Sequence, residues 1–264
     1  MTDIALSPQS SGRSWHLRGW RGAVVPLSLL ALWVAIVDTG LVSSSLLVPL
    51  HKILVAPFLD ADGQLIWPAL GMSLLRVAAG FAIGTTLGIT LGLALGLSRP
   101  AQTAVSPTIH TLRQITMFAW IPLLTAWFGN GEGAKIFFIS MSAFFPTFLN
   151  TEQGLRTVPL IYREVATALR LPLRVRITKL MLPAALPSIL IGVEIALLTA
   201  WIGTVGAEYA IGSGRGVGSY LSAARELFRM DLVLVGVVVL ALVGYGFSRI
   251  SQFAFRMLIT WRGR

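Results

Sequence analysis

Long apolar runs, each close to the length of a bilayer-spanning helix, alternate along this chain with short polar and basic segments. A hydrocarbon core of about 30 Å takes roughly 20 apolar helical residues. Six stretches can serve: 23–42, 69–97, 109–128, 134–149, 184–205 and 232–255. His110 and Arg113 make the third the least regular of them. The pattern predicts an all-α polytopic membrane protein with about six transmembrane helices. A polar tail over 1–22 precedes a membrane domain over 23–255, and a short tail over 256–264 follows it. Within the second stretch Gly80, Gly84, Gly88, Gly92 and Gly96 recur at every fourth position. Such a ridge lets helix backbones approach closely and predicts a packing seam, with a moving hinge as the alternative.

One segment breaks the pattern. Residues 164–183, EVATALRLPLRVRITKLMLP, carry Arg170, Arg174, Arg176 and Lys179 between two apolar stretches. Each such cation near a bilayer centre costs roughly 2.5–3.5 kcal/mol, so the segment belongs in water or at an interface. Ile161, Val165, Ala168 and Leu169 fall at helical spacing, with Arg163, Thr167 and Arg170 on the other face. After Pro172, the residues Leu173, Ile177, Leu180 and Met181 repeat the spacing. The reading is two short amphipathic helices meeting at the proline, each with an apolar stripe that needs cover. Lipid, the chain's own helices or the groove of a partner would each supply it. Pro183 then opens the fifth stretch, where a missing N–H costs little.

Composition narrows the function. The chain of 264 residues is 55% hydrophobic and 12% charged, against about 25% charged in soluble domains. It has no cysteine, and its three histidines are far apart, which excludes thiol chemistry and leaves no metal-ligand set. The net charge of +10 is explained by basic cytoplasmic loops rather than by nucleic acid. With the N-terminus inside, fifteen of the 21 Lys and Arg fall in cytoplasmic segments and six outside, so both termini and the 164–183 segment are expected in the cytoplasm.

Glu164, Ala166, Leu169, Leu180, Leu182 and Pro183 resemble the EAA loop of ABC importer permeases, whose pattern is EAA-x3-G-x9-I-x-L-P. Val165 departs from its second position, and Arg170 stands where the family has glycine, with Pro172 nearby as another source of a bend. The stretches AWIPLLTAWFGNGEGAKIF, AFFPTFLNTEQGLR, LPAALPSILIGVEIAL and GAEYAIGSGRGVGSYLSAARELFRMDLVLVGV are similar to the branch that holds the sulfonate, taurine and nitrate permeases. Thr116 departs from that branch, where relatives often carry proline. The resemblance implies a type I ABC importer permease fold, with a cytoplasmic coupling loop over 155–182 that docks on an ATP-hydrolysing subunit. Glu164, Ala166, Leu169, Arg170, Leu180, Leu182 and Pro183 are the coupling candidates that it supplies. It also implies two ATP-binding partner subunits, a second permease copy, an extracytoplasmic substrate-binding protein and residence in a bacterial inner membrane. The chain itself would not be an enzyme and would bind no cofactor, ATP and magnesium being held by the partners. Aliphatic sulfonates or taurine are the favoured cargo. Nitrate, bicarbonate or a thiamine precursor are alternatives within the same architecture, and an ion-coupled secondary transporter is an alternative outside it.

A few residues stand apart. GSGRGVG at 212–218 matches neither glycine-rich nucleotide fingerprint and reads as a flexible extracytoplasmic loop. Glu194 lies about 16 Å into the fifth stretch, near the membrane centre. It is expected either to pair within the fold or to line a translocation path. Glu208, near the outer end, is a candidate for an outer gate or for contact with the binding protein. Asp38 and Arg76 read as interfacial anchors, and Trp120 and Trp127 as belt residues.

Overall fold

The computed structural model describes residues 16–39, 48–212 and 214–258, and the described residues form helices and turns without a strand. Two compact units divide the chain at residue 54. The first contains α1 (His16–Asp38), in which the Trp33 indole N–H donates to the Val48 carbonyl at 3.3 Å. The last three residues of the first expected span lie outside the described residues, as do the polar residues 1–15 and the final six. Helix α2 (Leu50–Leu59) runs across the boundary.

The second unit is built on α3 (Ile66–Leu97), α6 (Glu132–Arg156) and α9 (Leu182–Ile211), with α6 between the other two. The glycine ridge lies against α6. A Cβ on Gly80 would stand 2.4 Å from Ile139 Cγ2, one on Gly84 2.2 Å from the Ser140 carbonyl oxygen, and one on Gly92 2.7 Å from Thr151 Cβ. Side chains there would push the two backbones apart, so the ridge sets the spacing of this helix pair. Across the other face of α6, Ala196 and Ala200 of α9 complete a cluster with Val77, Ile139, Ala143 and Trp201. The Trp201 indole N–H reaches Leu240 O at 3.3 Å, which ties α9 to α11 (Met230–Leu258). Helix α10 (Val217–Glu226) packs on both.

Among the described residues, three helical tracts are long and apolar enough to cross a membrane: Gly63–Leu97, Leu173–Ile211 and Met230–Met257. Helix α6 has the length but carries Lys135, Thr147, Thr151 and Glu152 buried inside the protein, as expected of a helix screened from lipid by its neighbours. Two expected elements are corrected. The third span is not one helix: α4 (Arg99–Leu112) ends before a turn, a 3-10 turn spans Met117–Trp120, and α5 (Ile121–Phe128) follows. Thr116 is extended at ψ 138°, and Pro122 sits in the first turn of α5. The fifth span does not open at Pro183. The helical track starts at α8 (Leu173–Val175) and runs through a π turn over Arg176–Met181 into α9. The wider winding falls just before Pro183, which has no N–H to donate back into that turn.

Candidate functional site

At the Arg156 end of α6, a three-residue link leads into α7 (Leu160–Ala168). Ala166 is 1% exposed and anchors one side of α7 to the bundle. The stripe predicted to need cover points away from it, with Ile161 63%, Val165 49% and Leu169 65% exposed. The described helices of the chain therefore do not cover it. Helix α7 ends in a Schellman arrangement, in which the Leu171 N–H donates to Ala166 O and the Arg170 N–H to Thr167 O, both at 3.0 Å. Arg170 takes the left-handed position that glycine normally fills, at φ 47°, which costs an ordinary residue roughly 1–2 kcal/mol. The site of the glycine departure thus keeps the glycine conformation. Pro172 then opens α8.

Glu164 is exposed and lines a cleft of about 720 Å³ with Leu160, Thr167, Arg99 and Arg176. The cleft lies between α7, the π turn and the junction of α3 with α4. Leu180 and Leu182 pack, half-buried, with Leu155, Met181, Ala185 and Ile189, so they hold the base of the loop to the bundle. Pro183 is half-buried beside them. Glu152, which the sequence reading passed over, locks the neighbouring helix: it is 2% exposed and accepts from Ser106 Oγ at 2.7 Å and Gln102 Nε2 at 2.9 Å.

The Glu132 end holds a charged cluster. Arg76 is 3% exposed, and this corrects its reading as an interfacial anchor. Its Nε and Nη2 donate to the two oxygens of Glu132 at 2.6 Å each, and its Nη1 donates to Glu208 Oε1 at 2.6 Å. Lys135, fully buried, lies 3.9 Å from Glu132. Two cations thus face two carboxylates. Glu208 is fully buried and also accepts from Ser73 Oγ at 2.8 Å and from the Gly218 N–H at 3.0 Å. Residues 214–218 of the glycine-rich stretch, read as a flexible loop, close over this carboxylate. A Cβ at Gly216 would come within 2.3 Å of Glu208 Cδ, and one at Gly218 within 2.3 Å of Val205 O. The glycines are needed for close approach to an internal carboxylate rather than for a bound phosphate. Ser73 also accepts from the Val217 N–H at 2.9 Å. One intrachain network therefore fastens α3, α6, α9 and the start of α10.

Nearby, Arg229 binds Asp60 at 2.6 Å and Asp231 at 2.7 Å, joining the α2–α3 turn to the α10–α11 turn. The Arg229 guanidinium, first, and the Gly63 N–H, second, hold the Asp60 carboxyl below its ordinary range. The contribution of that pair is present at neutral pH and fades as pH falls through the lowered value.

Glu194 is half-buried on α9 and makes no ion pair or hydrogen bond with another described residue. Trp127 is 64% exposed, whereas Trp120 packs against the cluster of Leu124, Ala134 and Phe138. The side chain of Asp38 lies outside the described ones. The structure thus gathers the coupling candidates at one end and Glu208 at the other, with Glu194 apart from both. Arg76 and Ser73 were missed as partners of Glu208, and Glu132 as a partner of Arg76. The available signal was an arginine ten residues inside a long apolar helix, since buried charges come paired.

The comparisons with known proteins agree with this arrangement. The family described as binding-protein-dependent transport system inner membrane component matches residues 84–260. The protein designated aliphatic sulfonates transport permease SsuC in Bacillus subtilis is 36% identical over 92% of this chain and 88% of its own length. The bicarbonate transport system permease CmpB of Synechococcus elongatus is 30% identical over 95% of this chain and 96% of its own. Among solved structures, a chain of the inward-facing MetNI methionine ABC transporter superposes with a TM-score of 0.65 at 19% identity, over 75% of this chain and 98% of that one. That likeness concerns the fold, and the sequence relatives carry the family. The chain is a multi-pass inner-membrane component that belongs to the ABC importer permease family, in the branch of the sulfonate, taurine, bicarbonate and nitrate permeases.

Proposed function

We propose that this chain is the membrane-spanning subunit of an ATP-driven importer of small anions, with aliphatic sulfonates or taurine as cargo. The carrying observation is α7: a short helix anchored by Ala166 that leaves Ile161, Val165 and Leu169 open beside Glu164. A groove on an ATPase subunit is the cover that the family provides. In this reading the Arg156 end of α6 and both termini face the cytoplasm, as the distribution of basic residues suggests. Two copies form the pathway, two ATPase subunits hold ATP and magnesium and grip the α7 loops, and an extracytoplasmic binding protein delivers the anion at the Glu132 end. This chain contributes no nucleotide site and no covalent chemistry.

The mechanism follows from rigid packing. Closure of the ATPase dimer would displace α7. The displacement would pass through the half-buried Leu180 and Leu182 into α9, and through the short 157–159 link into α6. Those two helices pack tightly together, with Gly192 against Asn150 and Gly203 against Ser142. The movement therefore reaches the membrane interior as a shift of whole helices. Glu194, without a partner among the described residues, is a candidate for the path between the two copies. Glu208 is spoken for by Arg76 and Ser73, so a gating role for it would act through the network that closes the Glu132 end.

The test is uptake of labelled taurine and nitrate in cells with and without the chain. ATP depletion with the proton gradient intact is expected to abolish uptake, and collapse of the gradient with ATP intact to leave most of it. The reverse pattern would replace this reading with ion-coupled secondary transport. Loss of nitrate uptake alone would keep the importer and change its cargo.

A further inference from the structure

The break between α4 and α5 opens a cavity of about 370 Å³ against α6 and α9. Its α6 wall runs from Phe138 to Leu149, roughly 16 Å of helix in the middle of Glu132–Arg156. The α9 wall is Thr199, Ile202 and Gly203. The lining is mostly apolar, with Phe118, Phe138, Phe145 and Ile202 prominent, and Arg113 is its one charged residue. Irregular backbone at membrane depth is tolerated where protein buries it or a cavity hydrates it, and an ionisable side chain at such depth faces a cavity or a partner.

Arg113 has no side-chain partner among the described residues. Arg76 is engaged with Glu132 and Glu208, and Arg229 with Asp60 and Asp231. Arg113 makes no side-chain hydrogen bond or ion pair with another described residue. The Arg113 side chain is exposed and lines the cleft, so its donors are open to a ligand. A guanidinium presents a planar fork of donors that matches an oxyanion with two or three equivalent oxygens. The cavity is within the size range of small-molecule sites, apolar walls around few polar groups.

We propose that this cavity is an anion subsite on the translocation path, with Arg113 binding the oxyanion head and Phe118, Phe145 and Ile202 enclosing an aliphatic tail. The subsite rests on the anion-importer reading. A free guanidinium in an apolar cleft selects one negative charge on a compact head and tolerates carbon behind it, which is the chemistry of an alkanesulfonate. Thr199 Oγ1, which donates to Ser142 O at 2.9 Å, holds the α9 wall to the α6 wall and keeps the cleft narrow.

The test uses the assembled transporter in cells, with ethanesulfonate, octanesulfonate and nitrate as labelled cargo. Arg113→Gln is expected to lower uptake of all three at least tenfold while the ATPase subunit still copurifies with the chain. Arg113→Lys, which keeps the charge but not the planar fork, is expected to recover part of the loss. Ile202→Trp, which narrows the apolar wall, is expected to reduce octanesulfonate uptake several-fold more than nitrate uptake. Unchanged uptake by Arg113→Gln overturns the subsite alone. Loss of copurification in that variant also overturns it, by making Arg113 an assembly contact. An equal effect of Ile202→Trp on all three anions removes the tail pocket. Failure of the unsubstituted chain to carry any of the three overturns the importer reading, and the subsite with it.

Discussion

Arg76→Met, which preserves most of the side chain's volume and removes its charge, is expected to loosen the Glu132 end of the bundle. The substitution strips Glu132 of two hydrogen bonds and Glu208 of its ion pair, and Glu208 is fully buried. Breaking a buried pair from one side costs roughly 3–5 kcal/mol, because the surviving charge stays out of water. For a chain of this size that corresponds to a fall in melting temperature on the order of 10 °C. Glu208→Leu should cost a similar amount from the other side, leaving Arg76 and Lys135 with Glu132 alone. The double variant Arg76→Met with Glu208→Leu is expected to recover part of the sum, since neither buried charge is then left facing the other's vacancy. Thermal denaturation of the detergent-purified chain and its variants measures this directly. Single losses below about 1 kcal/mol would mean that the cluster is hydrated and loosely held.

The second large effect is expected at α7. Leu169→Asp places a charge on the open stripe without touching the buried face, where Ala166 makes the contact with the bundle. Glu164→Lys adds a third cation to a cleft that already holds Arg99 and Arg176. Truncating or reversing a central contact of an interface typically costs 2 kcal/mol or more, about thirtyfold in affinity. Both variants are therefore expected to lower uptake at least tenfold while reaching the membrane in normal amounts. Immunodetection in membranes beside uptake measures the two separately. Uptake that persists at normal rates in both variants would remove α7 from the coupling path.

The long apolar helices were legible in the sequence because lipid imposes a length and a composition. The second expected span matches α3 except for a start three residues earlier, and the sixth matches α11, which starts two residues earlier and ends three later. Polar interiors were harder. Helix α6 carries Lys135, Thr151 and Glu152, yet it is the best screened of the long helices, and no hydropathy pattern reveals which neighbours do the screening. The break after Leu112 was foreshadowed by His110 and Arg113, but a run of apolar residues cannot say whether it bends. The glycine stretch at 212–218 was misread for a different reason. Its need for glycine comes from Glu208, which folds back against Gly216 and Gly218, and a partner eight or ten residues away on another element leaves no periodic trace. At α7 the amphipathic stripe was readable, whereas the left-handed turn at Arg170 was not, because Leu171 closes onto Ala166 only once the helix has ended.

The most direct measurement uses the absence of cysteine from the chain. A single Leu169→Cys variant carries one thiol, on the open stripe of α7. Its rate of reaction with a water-soluble maleimide is measured for the permease alone and for its complex with the ATPase subunit. Burial of the stripe in the partner's groove predicts rapid labelling alone and at least tenfold slower labelling in the complex. Equal rates in the two states would contradict the claim that α7 is where this chain receives the work of ATP hydrolysis.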